Sequence, residues 1–150
     1  MQCGKILALG LAMVLMTCGM AAQASRAEDT IRYRKAVMVM IKWNYEQLSQ
    51  QAKGSTPFSR EEAQRQASWL DALSKSVLEG FPVGSHDGDT KALPAIWSQW
   101  PQFKTLTQRM QSDVTKLQEL AQKGDVIALK AALNELTRTC KACHDDFKKS

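Results

Sequence analysis

Aromatic side chains are scarce, at 7% of the 150-residue chain, so a core must be built mainly from Leu, Ala, Val and Met. Glycine and proline number only 8 and 4, which excludes a collagen-like or low-complexity chain. No apolar run reaches the roughly 18 residues that a membrane-spanning helix requires. No segment alternates with period two for long enough to be a strand, and no internal repeat of the solenoid kind is present. Charge of one sign is also lacking. Lys and Arg outnumber Asp and Glu by 20 to 15, but the excess is spread along the chain, which argues against a nucleic-acid-binding stripe. What remains, 44% apolar and 23% charged residues, is ordinary for one globular domain rather than a disordered chain.

The N-terminus reads as an export signal. Lys5 precedes the apolar run Ile6–Met16, and Ala22-Gln23-Ala24 follows as an A-x-A cleavage site. Residues 1–24 are expected to be removed, leaving 25–150 as a single mature domain with no membrane span. Cleavage takes Cys3 and Cys18 with it. Two of the 4 cysteines remain, Cys140 and Cys143.

The mature chain carries four helical patterns. The first is expected from near Glu28 to about Lys53. Ile31, Met38, Ile41, Tyr45 and Leu48 recur there at spacings of 7, 3, 4 and 3, one helical face. Gly54-Ser55-Thr56-Pro57 stops it. Ser59, with Glu62 three residues on, opens the second as a capping box. It carries Ala63, Ala67, Leu70, Leu73 and Val77 and ends at Gly80. Phe81 to Ala95 has no periodicity and reads as a long surface loop. The third helix starts around Trp100-Pro101, with proline in its first turn, and closes at Gly124. Asp125 caps the fourth, whose stripe is Ala128-Leu129, Ala132-Leu133 and Leu136. The first and last links are short and make antiparallel neighbours, while the middle link is long enough to cross the end of the bundle. The expected fold is all-α, an up-down-up-down antiparallel four-helix bundle.

The chemistry lies near the C-terminus, in Cys140-Lys141-Ala142-Cys143-His144. Cys-x-x-Cys-His is the attachment signature of c-type haem. Cysteines three apart lie on one side of a helix, so both sulfurs can bond the two vinyl groups of one haem. His144, four past Cys140, can reach the iron from the same side. A thioredoxin-type reading would need a preceding strand. A structural zinc site would need four ligands. The mature chain offers only the two cysteines, His144 and His86 beside its carboxylates, and adjacent Cys143 and His144 are awkward in one tetrahedron. His86 sits in the long loop beside Asp87 and Asp89 and reads as a surface histidine.

This motif on the last of four helices resembles the class II cytochromes c, the cytochrome c′ family. The resemblance extends over nearly all of the mature chain. Ile31 to Met38 resembles the family's first-helix motif, Lys53-Gly54 with Pro57-Phe58 its first interhelical turn, and Pro94-Ala95-Ile96-Trp97 the segment before its third helix. It implies thioethers at Cys140 and Cys143, His144 as proximal iron ligand, and Arg34 at a haem propionate. It implies a basic residue near the proximal face, here Lys148. Phe147 stands where many members have a tyrosine. Met38, four residues past Arg34, falls at the position facing the sixth site of the iron. Most members place a non-coordinating residue there and bind small gases; a smaller branch places methionine there and carries electrons.

Thioether sulfur is a soft ligand that raises the potential when paired with histidine. The favoured expectation is therefore a periplasmic, non-enzymatic carrier of single electrons between redox partner proteins, with iron held by His144 and Met38. The alternative is a five-coordinate protein that binds nitric oxide or carbon monoxide. Lys141, Lys148 and Lys149 could steer an acidic redox partner. An apolar outer face on the first two helices would allow a homodimer.

Overall fold

The computed structural model describes the backbone from residue 3 onward and the side chains from residue 26. Its long helices are α1 (Cys3–Lys53), α2 (Arg60–Lys75), α4 (Trp100–Lys123) and α5 (Val126–Phe147), with a single turn, α3 (Ala95–Ser98), before α4. No strand occurs among the described residues, only an isolated antiparallel bridge between Ala92 and Lys148. The neighbour order is α1–α2–α4–α5, closed by a sparser α5–α1 seam. The expected four-helix bundle is therefore the fold.

The helix ends follow their local chemistry. Ser59 Oγ accepts from the Glu62 amide at 3.3 Å. The other half of the expected capping box is absent: the Ser59 amide donates to Gln51 Oε1 at 3.0 Å, and Glu62 pairs with Arg65 instead. A cap from α1 thus replaces a local one and ties α1 to α2. Asp125 Oδ1 accepts from the Ala128 amide at 2.9 Å, so α5 begins where expected. Gly124 ends α4 at φ +71°, a left-handed conformation that costs glycine least. The start of α1 differs from expectation. The helix does not begin near Glu28 but runs back to Cys3, because no proline or turn sequence interrupts it. The side chains of the expected signal peptide, Cys3 and Cys18 included, lie outside the described residues.

The second expected helix also ends early. The chain leaves α2 at Lys75 and makes a 3-10 turn at Leu78–Gly80. Tyr33, Arg34 and Lys35, three successive residues of α1, then hold the following loop. Tyr33 Oη donates to Glu79 Oε2 at 2.9 Å, Arg34 Nη2 to the Ser85 carbonyl, and Lys35 Nζ to Asp89 Oδ2 at 2.7 Å. The loop ends against α5, where the Leu93 amide donates to the Phe147 carbonyl at 2.9 Å and the Lys149 amide to the Lys91 carbonyl at 2.8 Å.

Two apolar clusters divide the bundle along its axis. The first is rich in small residues: Ala52, Ala63, Ala67, Ala121 and Ala132 pack among Leu48, Leu70, Leu117 and Leu129. The second is built on Val37, Val77, Phe81, Ile96, Phe103 and Phe147. Aromatics are few, but this half concentrates them. Phe103 meets Phe81 and Phe147 edge-on, with centroids at 4.8 and 5.4 Å, in the offset geometry that ring quadrupoles favour. Ile41 and Met110 pack against both clusters and mark their boundary.

Candidate functional site

Cys140 and Cys143 lie on α5 across that boundary. Cys140 packs against the small-residue cluster and Cys143 against the aromatic one. Both are free thiols. Burial, then Asp113, raises the Cys140 thiol above its usual range. Burial, then Cys140 and Asp146, pushes the Cys143 thiol up to about 11. Among the described residues no group of three or more His, Cys, Asp and Glu could hold a bare metal ion.

His144 is exposed on α5. Partial burial, then Lys148, lowers its pKa, against a smaller opposing pull from Asp145. The neutral imidazole that a metal needs is thereby favoured. Lys141 forms a salt bridge with Asp145, which leaves Lys148 as the basic group acting on the ring.

Met38 is half-buried on α1 and packs against the aromatic cluster, as Cys143 does from α5. Helix periodicity had placed it on the inner face, and it is there. Met40, on the opposite side, is 42% exposed. Phe147 is buried, edge-on to Phe103, in a space where a phenol would need a partner.

Arg34 is the most constrained polar side chain of the site. It is 4% exposed, and only Nη2 has a partner, the Ser85 carbonyl. Nε and Nη1 are buried without one. Phe81 and Trp97, with centroids 6.1 Å apart, sit together beside the guanidinium, 5.0 and 5.6 Å from Cζ. Burial lowers its pKa, yet a guanidinium stays charged at ordinary pH. Gly80 lets the chain pass close by: a Cβ there would meet Arg34 Cβ at 2.7 Å. Phe81 belongs both to this cage and to the aromatic cluster, so it joins Arg34 to the surroundings of Met38 and Cys143.

The loop had been read as surface, and that reading fails for Phe81 and Ser85, which are 7% and 2% exposed. Gly80, Ser85 and Trp97 carry no periodic signal. The face that Trp97 offers to a cation does not register as spacing. His86 is exposed as expected, paired with Asp87 at 3.3 Å and edge-on to Trp97 at 5.7 Å.

A family model described as Cytochrome C′ matches residues 29–148. The cytochrome c′ of Rubrivivax gelatinosus is 33% identical over 127 residues, covering 84% of this chain and 98% of its own. Cytochrome c-554 of Cereibacter sphaeroides is 33% identical over 146 residues, covering 95% and 94%. Among solved structures, a nitric oxide complex of a variant cytochrome c prime from Alcaligenes xylosoxidans is similar with a TM-score of 0.78. That protein is 30% identical, with 83% of this chain and 96% of that one covered.

Proposed function

Because the chain belongs to the cytochrome c′ family, whose proteins bind one covalent c-type haem, we propose that it is a periplasmic haem protein that takes up nitric oxide and other small gases. The observation that carries this reading is the solved nitric oxide complex of a relative that matches over nearly its whole length. The surroundings of Met38 and Cys143 suit it. They are aromatic and aliphatic side chains, dry enough for a small apolar gas.

The residues present fit the cofactor. Two free cysteines three residues apart on α5 offer the two sulfurs that thioether attachment needs, and burial with Lys148 favours neutral imidazole at His144. The two unpartnered donors of Arg34 call for a buried acceptor, which a haem carboxylate would provide. When bound, the haem would supply an iron that changes oxidation state and can bind a small ligand. The polypeptide attaches it through Cys140 and Cys143, ligates it through His144, anchors its edge through Arg34 and excludes water with the aromatic cluster. We read the chain as a receptor rather than an enzyme.

Electron transfer, the function favoured on sequence, becomes the second reading. One observation keeps it: Met38 and Cys143 pack against the same cluster, which suits a sulfur ligand at the sixth site. Visible spectra of the purified protein in both oxidation states separate the two readings. Gas binding expects five-coordinate, high-spin iron, unchanged in Met38→Leu. Electron transfer expects low-spin iron that turns high-spin in Met38→Leu and binds carbon monoxide readily once reduced. The substitution preserves volume and should cost under about 1.5 kcal/mol beyond any lost iron bond.

In this reading the mature chain is exported by a signal peptide cleaved after Ala24. No helix among the described residues is long and apolar enough to cross a membrane. Lys148 and Lys149 would meet an acidic redox partner. A second copy would pair through α1 and α2, where Val39, Trp43 and Trp69 are 67%, 62% and 51% exposed. These side chains line one groove together with Met40, Asn44, Arg65 and Gln66.

A further inference from the structure

Buried donors are almost always paired, so the two free donors of Arg34 mark a prepared acceptor position. Arginine is a flexible side chain, and the precision of this one must come from its surroundings. Only one hydrogen bond, to the Ser85 carbonyl, fixes it directly. The rest is supplied by rings. Trp97 lies 5.6 Å from the guanidinium carbon, close enough for a cation–π contact. Its own orientation is set by the loop, because its indole N–H donates to the carbonyls of Phe81, at 3.2 Å, and Pro82, at 3.0 Å. The same tie fixes Phe81, the other ring beside the guanidinium, whose centroid is 5.0 Å from Cζ.

We infer that Trp97 is a positioning residue: by its ring and by the Phe81–Pro82 segment that its N–H holds, it fixes the guanidinium of Arg34 so that one of its two unpartnered donors, Nε or Nη1, meets a carboxylate of the bound haem. This rests on the haem reading above and adds to it a residue that touches neither iron nor sulfur. Other charged groups of the region have partners of their own. His86, edge-on to Trp97, pairs with Asp87, Glu79 accepts from Tyr33, and Asp89 accepts from Lys35. Lysine could not replace Arg34, because a point charge offers no planar group to set against the rings and no separate N–H edges, one for the Ser85 carbonyl and one for a carboxylate.

The test is the reduction potential of the holoprotein as a function of pH, with covalent haem content and far-UV circular dichroism as controls. A carboxylate held by a cation ionises at lower pH, and its ionisation bends the potential–pH curve. Arg34→Gln should move that bend up by about 1 to 3 pH units. Trp97→Leu should move it the same way, and the double variant should move it no further than Arg34→Gln alone. Trp97→Phe keeps a ring but loses the indole N–H, so it should fall between wild type and Trp97→Leu. It also decides the matter if Trp97→Leu does not fold. His86→Gln should leave the bend in place.

The positioning role is overturned if both Trp97 variants keep the wild-type bend while Arg34→Gln moves it, or if the two shifts add in the double variant. It is overturned together with the Arg34–carboxylate contact if Arg34→Gln moves nothing, or if the bend disappears in His86→Gln. In those cases an unchanged haem content still supports the cofactor assignment. Loss of covalent haem from the wild-type protein would refute the haem reading itself.

Discussion

Gly80→Ala adds one methyl group where α1 and the 3-10 turn come closest. Its carbon would lie 2.7 Å from Arg34 Cβ and 3.3 Å from Arg34 Cα. Nonpolar carbons rest at about 3.5 to 4.0 Å, so roughly 1 Å must open between two backbone segments. Neither neighbour can rotate away, since Cα and Cβ move only with the helix. Overpacking of this kind costs about 1 to 3 kcal/mol. Alanine restricts the unfolded chain and offsets about 0.4 to 1 kcal/mol of that. The net expectation is a loss of about 1 to 2 kcal/mol, or roughly 4 to 8 °C in Tm for a domain of this size. Urea unfolding of the holoprotein, followed by far-UV circular dichroism, should show a lower midpoint with an unchanged slope. Gly54→Ala is the control: its φ of +77° imposes backbone strain, but nothing lies within 4 Å of the new carbon. Both variants should be destabilised, and only Gly80→Ala should also move the potential–pH curve, because only it displaces Arg34. A Gly80→Ala protein as stable as wild type, with an unshifted curve, would refute the close approach and the fixed Arg34 cage together.

Replacing Cys140 and Cys143 together with Ala should abolish covalent attachment, so that acid–acetone removes all haem; haem retained after extraction would refute the assignment. The Asp89 carboxyl is held below the usual carboxylate range by its hydrogen bond and charge contact with Lys35. That pair stabilises the fold above the ordinary carboxylate pKa, and its contribution disappears as pH falls through the depressed value. The stability difference between wild type and Asp89→Asn should therefore be small and constant at neutral pH and vanish in acid. A difference that grows on acidification would contradict the sign. Trp43→Glu should yield a monomer by analytical ultracentrifugation with an unchanged visible spectrum, and a dimer that survives it would place the interface elsewhere.

The helical frame was legible because its signals are local. Ser59, Pro101, Gly124 and Asp125 sit at helix ends for reasons contained within a few residues, and each ends or begins a helix where those reasons put it. The Cys-x-x-Cys-His motif and the inner position of Met38 were legible for the same reason, since both are spacings on one helix. The Gln51 cap on Ser59 was not, because it crosses between helices. The cage of Arg34 was hidden too. It draws Gly80, Phe81, Ser85 and Trp97 from a stretch without periodicity, and their convergence depends on three side chains of α1 reaching across to hold it. The start of α1 was misjudged because cleavage and helix termination are separate properties, and only the first has a signature near Ala24.

The division of the core into a small-residue half and an aromatic half has a consequence for local opening. Where Ala52, Ala63, Ala67, Ala121 and Ala132 meet, helix backbones approach closely and little surface is left to loosen. The other half is closed by one short turn, a loop pinned through three side chains, and a cage with two unsatisfied donors. Amide exchange should therefore be graded along the bundle axis, slowest around Leu117 and Leu129 and fastest near Phe81 and Ile96. Breathing is thus confined to the end where, in the proposed reading, a small gas would enter, while the opposite end keeps the register of all four long helices.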